Sequence, residues 1–317
     1  MCSKARKNLE LNIPSLVNVW NMYSTVKRDD ETLVQTARQT VELPADVRDA
    51  VLAFRADSTP QGWLLLRDLT IGDVPATPPE PTAATPKSNT SELLLVAIAA
   101  LLGEPVGYEP EHGGDMVQNL VPVRASSGRQ TSTSSRIALM FHTEAAFHPH
   151  RPKYLLLLCL RGDTNAQTTV ASIHDALPHL SAHAIDTLFQ PRFRCAVDES
   201  YLHGRRNSLG APSAVLSGNR SNPAMVFDED LMVGTDVEAE RALHELGAVL
   251  AANHAAVALA AGDLVILDND VVVHGRSPFE ARYDGTDRWV QRIMVVSDLA
   301  ASAADRVGRM ITTEFGD

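Results

Sequence analysis

Phe141-His142-Thr143-Glu144, read together with Gly262-Asp263-Leu264-Val265-Ile266-Leu267-Asp268-Asn269 and Val271-Val272-Val273-His274-Gly275-Arg276, decides how this chain folds and what it holds. Residues i and i+2 of a strand point to one face, so His142 and Glu144 can share one metal ion, and an imidazole with a carboxylate suits ferrous iron. Alone the pattern is weak. With 39 acids in 317 residues and eleven histidines, about one His-x-acid is due by chance, and His142 provides the only one. The downstream stretch adds weight: an apolar strand, a turn and a second strand ending in His274 would return a third ligand to the first pair. Fourteen residues further on stands Arg288, whose planar fork can grip a carboxylate at two points.

Around these stretches the chain reads as short strands, at 120–123, 137–141, 154–160, 168–173, 224–227, 264–267 and 290–296. Many short strands joined by turns point to a sandwich or jelly roll. Two helical stretches interrupt them, at 173–188 and 237–253. Towards the N-terminus, helical spacing over 47–54 precedes a buried strand at 62–66 and an apolar helix at 93–102 that Gly103 stops. Residues 74–92, rich in Pro, Thr and Ala, read equally as a linker between domains or as an extended segment wrapped on one domain. The Gly, Ser, Asn and Arg content of 198–222 is that of a lid over a site, and residues 1–20 read as a flexible N-terminal segment.

Composition narrows the function. Hydrophobic residues at 44% and charged residues at 21% are those of a globular chain with a sizeable core. The formal charge of −11 would repel a phosphate backbone, so nucleic acid is not the expected partner. Cys2, Cys159 and Cys195 lie too far apart to spell a zinc site or a disulfide framework. No apolar signal core and no membrane-length run is present, and a cytoplasmic protein is expected. The sequence assigns no oligomeric state.

Several ordered motifs extend the pattern: His142-Thr143-Glu144-Ala145-Ala146-Phe147-His148, Leu158-Cys159-Leu160-Arg161-Gly162-Asp163, Val197-Asp198-Glu199-Ser200, Phe227-Asp228-Glu229-Asp230-Leu231-Met232, and 268–292. In these the chain resembles the clavaminate synthase-like family of Fe(II)/2-oxoglutarate-dependent oxygenases, which includes bacterial asparagine, arginine and lysine hydroxylases. The resemblance runs from Leu43 to Val296. It implies one domain over 1–317, mainly β with helices, built on a distorted double-stranded β-helix (jelly roll) core with flanking α-helices. It implies that His142, Glu144 and His274 hold Fe(II), and that Arg288 and Thr168 bind the cosubstrate 2-oxoglutarate, with O2 as second cosubstrate. Arg292, Gln118 and Ser132 match positions that meet the backbone atoms of an amino-acid substrate, and Asp228 and Asp230 match acids that meet a basic side chain.

The expected reaction is hydroxylation of an unactivated carbon of a free L-amino acid in natural-product biosynthesis, with ring closure or desaturation as other outcomes. A non-catalytic jelly-roll binding protein and an oxygenase of tethered residues are the competing functions. Simpler readings exist for single residues. Arg288 could pair with Asp284 or Asp287 at the surface, Asp228 and Asp230 could form a solvated turn, and His148 with His150 reads as structural. Cys159 reads as core.

Overall fold

The computed structural model describes residues 29–83 and 88–316; the segment expected to be flexible over 1–20 lies outside the described residues. Helices α1 (Asp30–Thr40) and α2 (Ala45–Asp57) lead into β1 (Trp63–Leu66), α3 (Thr90–Leu102), β2 (Glu104–Tyr108), β3 (Val117–Leu120) and β4 (Leu139–His142). The middle of the chain forms β5 (Tyr154–Arg161), β6 (Gln167–Ser172), α4 (Ile173–Ala176), α5 (Ala182–Leu188), β7 (Phe193–Cys195), β8 (Leu216–Asn219), β9 (Asn222–Met225) and β10 (Met232–Gly234). The last part adds α6 (Val237–Ala252), β11 (Ala255–Ala258), β12 (Leu264–Asp268), β13 (Val272–Arg276), β14 (Trp289–Val296), β15 (Arg306–Val307) and β16 (Met310–Ile311). The protein is mainly β with flanking helices.

Two sheets carry the structure. The larger has eight strands in the order β1-β12-β5-β14-β2-β16-β15, with β3 also paired to β14, and the smaller runs β11-β6-β13-β4. Strand β5 stays apolar from Tyr154 to Leu160, the mark of a strand buried on both faces. Its even positions Leu156, Leu158 and Leu160 join a core with Phe54 of α2 and Ile98 of α3. Its odd positions Leu155, Leu157 and Cys159 join a second core with Val170 of β6, Val273 of β13 and Leu246 of α6. Strand β14 divides in the same way, with Trp289 and Ile293 towards the helices and Val290 and Met294 on the other side. The large sheet therefore separates a supporting helical layer from the side on which polar groups collect. Removing one of these leucine side chains would cost about 2–5 kcal/mol.

Helix α3 is apolar all round because it is buried all round, from Ser91 to Ala99. It stops at Gly103, where a Cβ would stand 2.4 Å from the carbonyl oxygen of Val296, so only glycine lets the chain pass β14 there. The described part of the 74–92 stretch is wrapped, not free. Arg161 donates to the carbonyls of Val74 and Pro75 (3.4 and 2.8 Å), Thr77 donates from its backbone N–H to Gly285 O (2.8 Å), and Asn119 donates to Pro81 O (3.2 Å).

Three sequence expectations shift. The helix expected over 173–188 breaks into α4, a 3-10 turn at Leu177–His179 containing Pro178, and α5, which restarts where the Ser181 hydroxyl accepts from Ala184 N (3.1 Å). The strand expected at 120–123 is β3 at Val117–Leu120, because pairing with β14 places Gln118 opposite Arg292. The strand expected at 224–227 begins earlier, as the return arm of the β8–β9 hairpin. Among the described residues no helix is long and apolar enough to cross a membrane.

His148 is enclosed by rings rather than paired with His150 at a metal. Its centroid lies 4.9 Å from Tyr108, 5.1 Å from Phe315 and 6.0 Å from Tyr201, and its Nδ1 accepts from His150 N at 2.9 Å. Burial, then the neighbouring charges of His150 and Arg151, push the imidazole down to about 3 against the pull of Asp305. An unfolded histidine titrates near 6.5. Between these values the unfolded chain binds more protons, so this stability is fully present above about pH 6.5 and is lost as pH falls towards 3. We expect His148→Asn, which keeps an acceptor for His150 N, to lower the thermal midpoint at neutral pH but to flatten its decline between about pH 6.5 and 4. A decline as steep as in the parent would remove His148 from the acid response.

Candidate active site

Strand pairing makes the first contact. His142 ends β4 and stands directly opposite His274 of β13, with ring centroids 4.2 Å apart. Glu144 does not lie on the strand, because β4 stops at His142. A turn swings it back instead, with Ala145 at φ 52° and Thr143 fastened to Phe227 by Thr143 N→Phe227 O (2.7 Å) and Phe227 N→Thr143 Oγ1 (3.1 Å). Asn269 fixes the turn from the other side. Its Oδ1 accepts from Glu144 N (2.8 Å), while its Nδ2 donates to Glu144 O (3.1 Å) and Pro152 O (2.9 Å). One donor atom each from His142, Glu144 and His274 falls within 4.8 Å of the others.

This set fits a divalent metal ion. Glu144 Oε2 is buried without a hydrogen-bond partner and faces His274 Nε2 at 3.5 Å. Buried polar atoms are rarely left so, and an orphan costs about 1–3 kcal/mol. His142 Nδ1 lies 2.9 Å from Met140 O, which places the proton on Nδ1 and leaves Nε2 its lone pair. Burial, then the charges of His142 and Arg292, hold the His274 imidazole well below its usual value, so it is neutral and able to ligate. Two imidazoles and one carboxylate form the set associated with ferrous iron.

Strand β13 runs two residues beyond His274, so that Arg276 faces Thr168 of β6. Gly275 lets it seat against β4, where a Cβ would stand 2.5 Å from Leu139 O. The hydroxyl of Thr168 is buried and unpartnered. Arg288 is 8% exposed, lines the same cavity and, among the described residues, makes no ion pair. The surface pairing with its acidic neighbours does not form: Asp287 accepts from the backbone of Arg282 and Tyr283 (2.7 and 2.6 Å), and Asp284 accepts from Thr286. Arg276 is buried too, donating to the Ser134 hydroxyl and to Ile137 O at 3.0 Å each.

Arg292 lies on β14, four residues after Arg288, and both line the cavity. Its guanidinium donates to Gln118 Oε1 (2.8 Å) and Glu144 Oε1 (3.1 Å) and pairs with Glu111. Gln118 stands behind Arg292 rather than on the cavity wall, with its Nε2 unpartnered. Burial works to raise the Glu111 carboxyl, but the charges of Arg292 and His112 outweigh it and hold the group low. Ser132, Asp228 and Asp230 also line the cavity. The two aspartates belong to a turn rather than to one strand face: Asp228 Oδ1 accepts from Asp230 N (3.0 Å) and Leu231 N (2.8 Å). Neither makes an ion pair with a described residue, and burial pushes the Asp228 carboxyl up against the pull of His142.

These groups surround a cavity of about 350 Å³ between the two sheets, to which β3, β5 and β14 contribute from one side and β4, β6 and β13 from the other. Sequence reasoning missed Glu111, Asn269, Arg276 and Tyr201. Asn269 left a signal, a polar pair closing an apolar strand; Glu111 left none.

The family model for the taurine catabolism dioxygenase TauD, TfdA family matches residues 62–294, and the chain belongs to that family of dioxygenases. L-asparagine oxygenase of Streptomyces coelicolor is 38% identical over 289 residues, covering 89% of this chain and 86% of that protein. The crystal structure of asparagine oxygenase with Fe(II), 2S,3S-3-hydroxyasparagine and succinate superposes with a TM-score of 0.84 at 37% identity, covering 92% of each chain. The iron oxygenase OrfP with Fe, succinate and (3S)-hydroxy-L-Arg superposes with a TM-score of 0.79 at 34% identity, over 88% of this chain and 90% of that one.

Asn269→Ala should weaken divalent-metal binding about 10- to 100-fold when Co(II) or Mn(II) is titrated by calorimetry. Unaltered affinity in a folded variant would mean that the clamp serves only the fold.

Proposed function

We propose that this protein is a non-haem Fe(II)/2-oxoglutarate-dependent oxygenase that hydroxylates an unactivated carbon of a free L-amino acid, with a basic side chain favoured, in natural-product biosynthesis. The observation that carries this reading is the pair of buried arginines lining the cavity beside the His142, Glu144 and His274 set, of which Arg288, just before β14, makes no ion pair with a described residue. A buried, unpaired cation costs several kcal/mol, which a dicarboxylate ligand would offset.

In this reading the two sheets are the distorted double-stranded β-helix, the chain is one oxygenase domain, and residues 198–222 form its lid. His142, Glu144 and His274 would hold the iron. When bound, it supplies the activation of O2 that accompanies oxidative decarboxylation of 2-oxoglutarate to succinate and carbon dioxide. The remaining work falls to the chain. Arg288 grips the distal carboxylate of the cosubstrate through its planar fork, and the free Thr168 hydroxyl donates to it. Arg292, held by Gln118, presents its charge to the α-carboxylate of the amino acid, and Ser132 contacts the backbone atoms of the substrate. Asp228 and Asp230 receive the cationic end. Orienting one carbon within reach of the metal set and keeping water out is the chief contribution of such a site.

The test is succinate formation with Fe(II), 2-oxoglutarate and air across a panel of free amino acids, with mass spectrometry of the products. Succinate coupled to a gain of one oxygen on one amino acid is the expected result; loss of two hydrogens would make the outcome ring closure or desaturation. Succinate no higher than in the amino-acid-free control would refute a free amino acid as substrate. Arg288→Ala should raise the 2-oxoglutarate requirement on the order of 100-fold, as expected for breaking a buried charge pair, and an unaltered requirement would show that another group holds the cosubstrate. Exchanging both acids, Asp228→Asn with Asp230→Asn, should raise KM about 10-fold or more for lysine- or arginine-like substrates and spare neutral ones. Equal loss for both classes would argue against a cationic side chain.

A further inference from the structure

Of the nine side-chain polar atoms buried without a partner among the described residues, five lie at the cavity or directly behind it. Glu144 Oε2 and His274 Nδ1 belong to the metal set, Thr168 Oγ1 to the cosubstrate end, and Gln118 Nε2 to the Arg292 support. A fifth, the hydroxyl of Tyr201, has been given no role. Tyr201 closes a short turn, Glu199–Tyr201, within the stretch read as a lid, and it is 3% exposed and lines the cavity.

The turn is tied down on the substrate side. Asp198 Oδ1 accepts from Ser200 N at 2.8 Å, and the Ser200 hydroxyl donates to Glu111 Oε1 at 2.9 Å, the same carboxylate that pairs with Arg292. The ring is held by its neighbours: its centroid lies 4.9 Å from Phe147 in an edge contact, 6.0 Å from Phe315 and 6.3 Å from Tyr108. A phenol fixed this firmly has little freedom to seek a partner elsewhere. The charges that bear on its oxygen are those of Glu111, Glu144 and Arg292, the groups around the expected α-carboxylate. Burial first, then these acids and Tyr108, keep the phenol protonated, and a neutral O–H beside two carboxylates can only be useful as a donor.

We infer that the Tyr201 hydroxyl donates a hydrogen bond to the α-carboxylate of the amino-acid substrate, so that lid and Arg292 hold that carboxylate between them. The inference rests on the amino-acid reading above. It explains why a lid residue that could be Phe at no packing cost carries a hydroxyl that the unliganded protein leaves unsatisfied.

Tyr201→Phe keeps the ring and removes only the oxygen. We expect the thermal midpoint of the unliganded protein to stay level or rise, because an orphan is deleted, while KM for the amino acid rises about 10-fold or more, as for loss of one hydrogen bond to a charged group, and KM for 2-oxoglutarate stays put. A tyrosine needed only for packing would leave KM for the amino acid alone, because the variant keeps the ring, and an unaltered KM overturns the inference. So does a KM for 2-oxoglutarate that rises by the same factor, which would assign the hydroxyl to the cosubstrate. If the parent enzyme turns over no free amino acid, the functional reading falls first and takes this one with it; if the parent turns one over and Tyr201→Phe matches it, only the Tyr201 assignment falls.

Discussion

The carboxamide of Asn269, closed around the peptide of Glu144, is the contact on which the site depends. Glu144 stands beyond the end of β4, where no ladder of backbone hydrogen bonds can hold it, and the peptide after it adopts a left-handed conformation at Ala145. Asn269 uses acceptor and donors together, on Glu144 N, Glu144 O and Pro152 O. Each such bond contributes only about 1 kcal/mol net, yet losing one strands a buried partner at greater cost. The same connection between β12 and β13 that presents Asn269 also delivers His274 five residues later. One turn between the two sheets thus sets two of the three ligands, one directly and one through a side chain.

Charge is arranged around that point with an evident asymmetry. Arg292 sinks into a nest of Gln118, Glu144 and Glu111, and burial is offset by those acids, which keep it charged. Arg288 makes no ion pair with a described residue, and burial works to lower it. One buried arginine is thus oriented by side chains of its own chain, while the other has no such clamp. The thiols play no part in this: Cys159 packs in the core, and burial pushes it up to about 12.

Much of this was legible in the sequence, where a period of two governs. The strands at 154–160, 264–267 and 290–296 were read where they stand, and the two histidines of the metal set with them. Nine of the ten residues named from the sequence line the cavity, and Gln118 supports one that does. What escaped were placements made by turns. The i, i+2 argument put Glu144 on a strand, whereas it reaches its place through a turn that Phe227 and Asn269, both distant in the chain, hold. Asp228 and Asp230 converge through a turn as well, Glu111 pairs with Arg292 across the fold, and Pro178 breaks a helix whose composition alone reads as continuous. Such contacts join residues far apart in the chain, and local patterns carry no trace of them.

The separation of faces on β5 and β14 also bears on how such a chain can change over generations. Leu157 and Leu120 border the cavity, while Leu156 and Ile293, on the opposite parity, are locked against the helical layer. A lineage could therefore reshape the volume offered to a substrate by exchanging cavity-facing residues of one parity, while those of the other keep the sheet packed against the helices. Adjacent residues on one strand would then drift under different constraints, one fixed by packing and the next open to selection for a new amino acid.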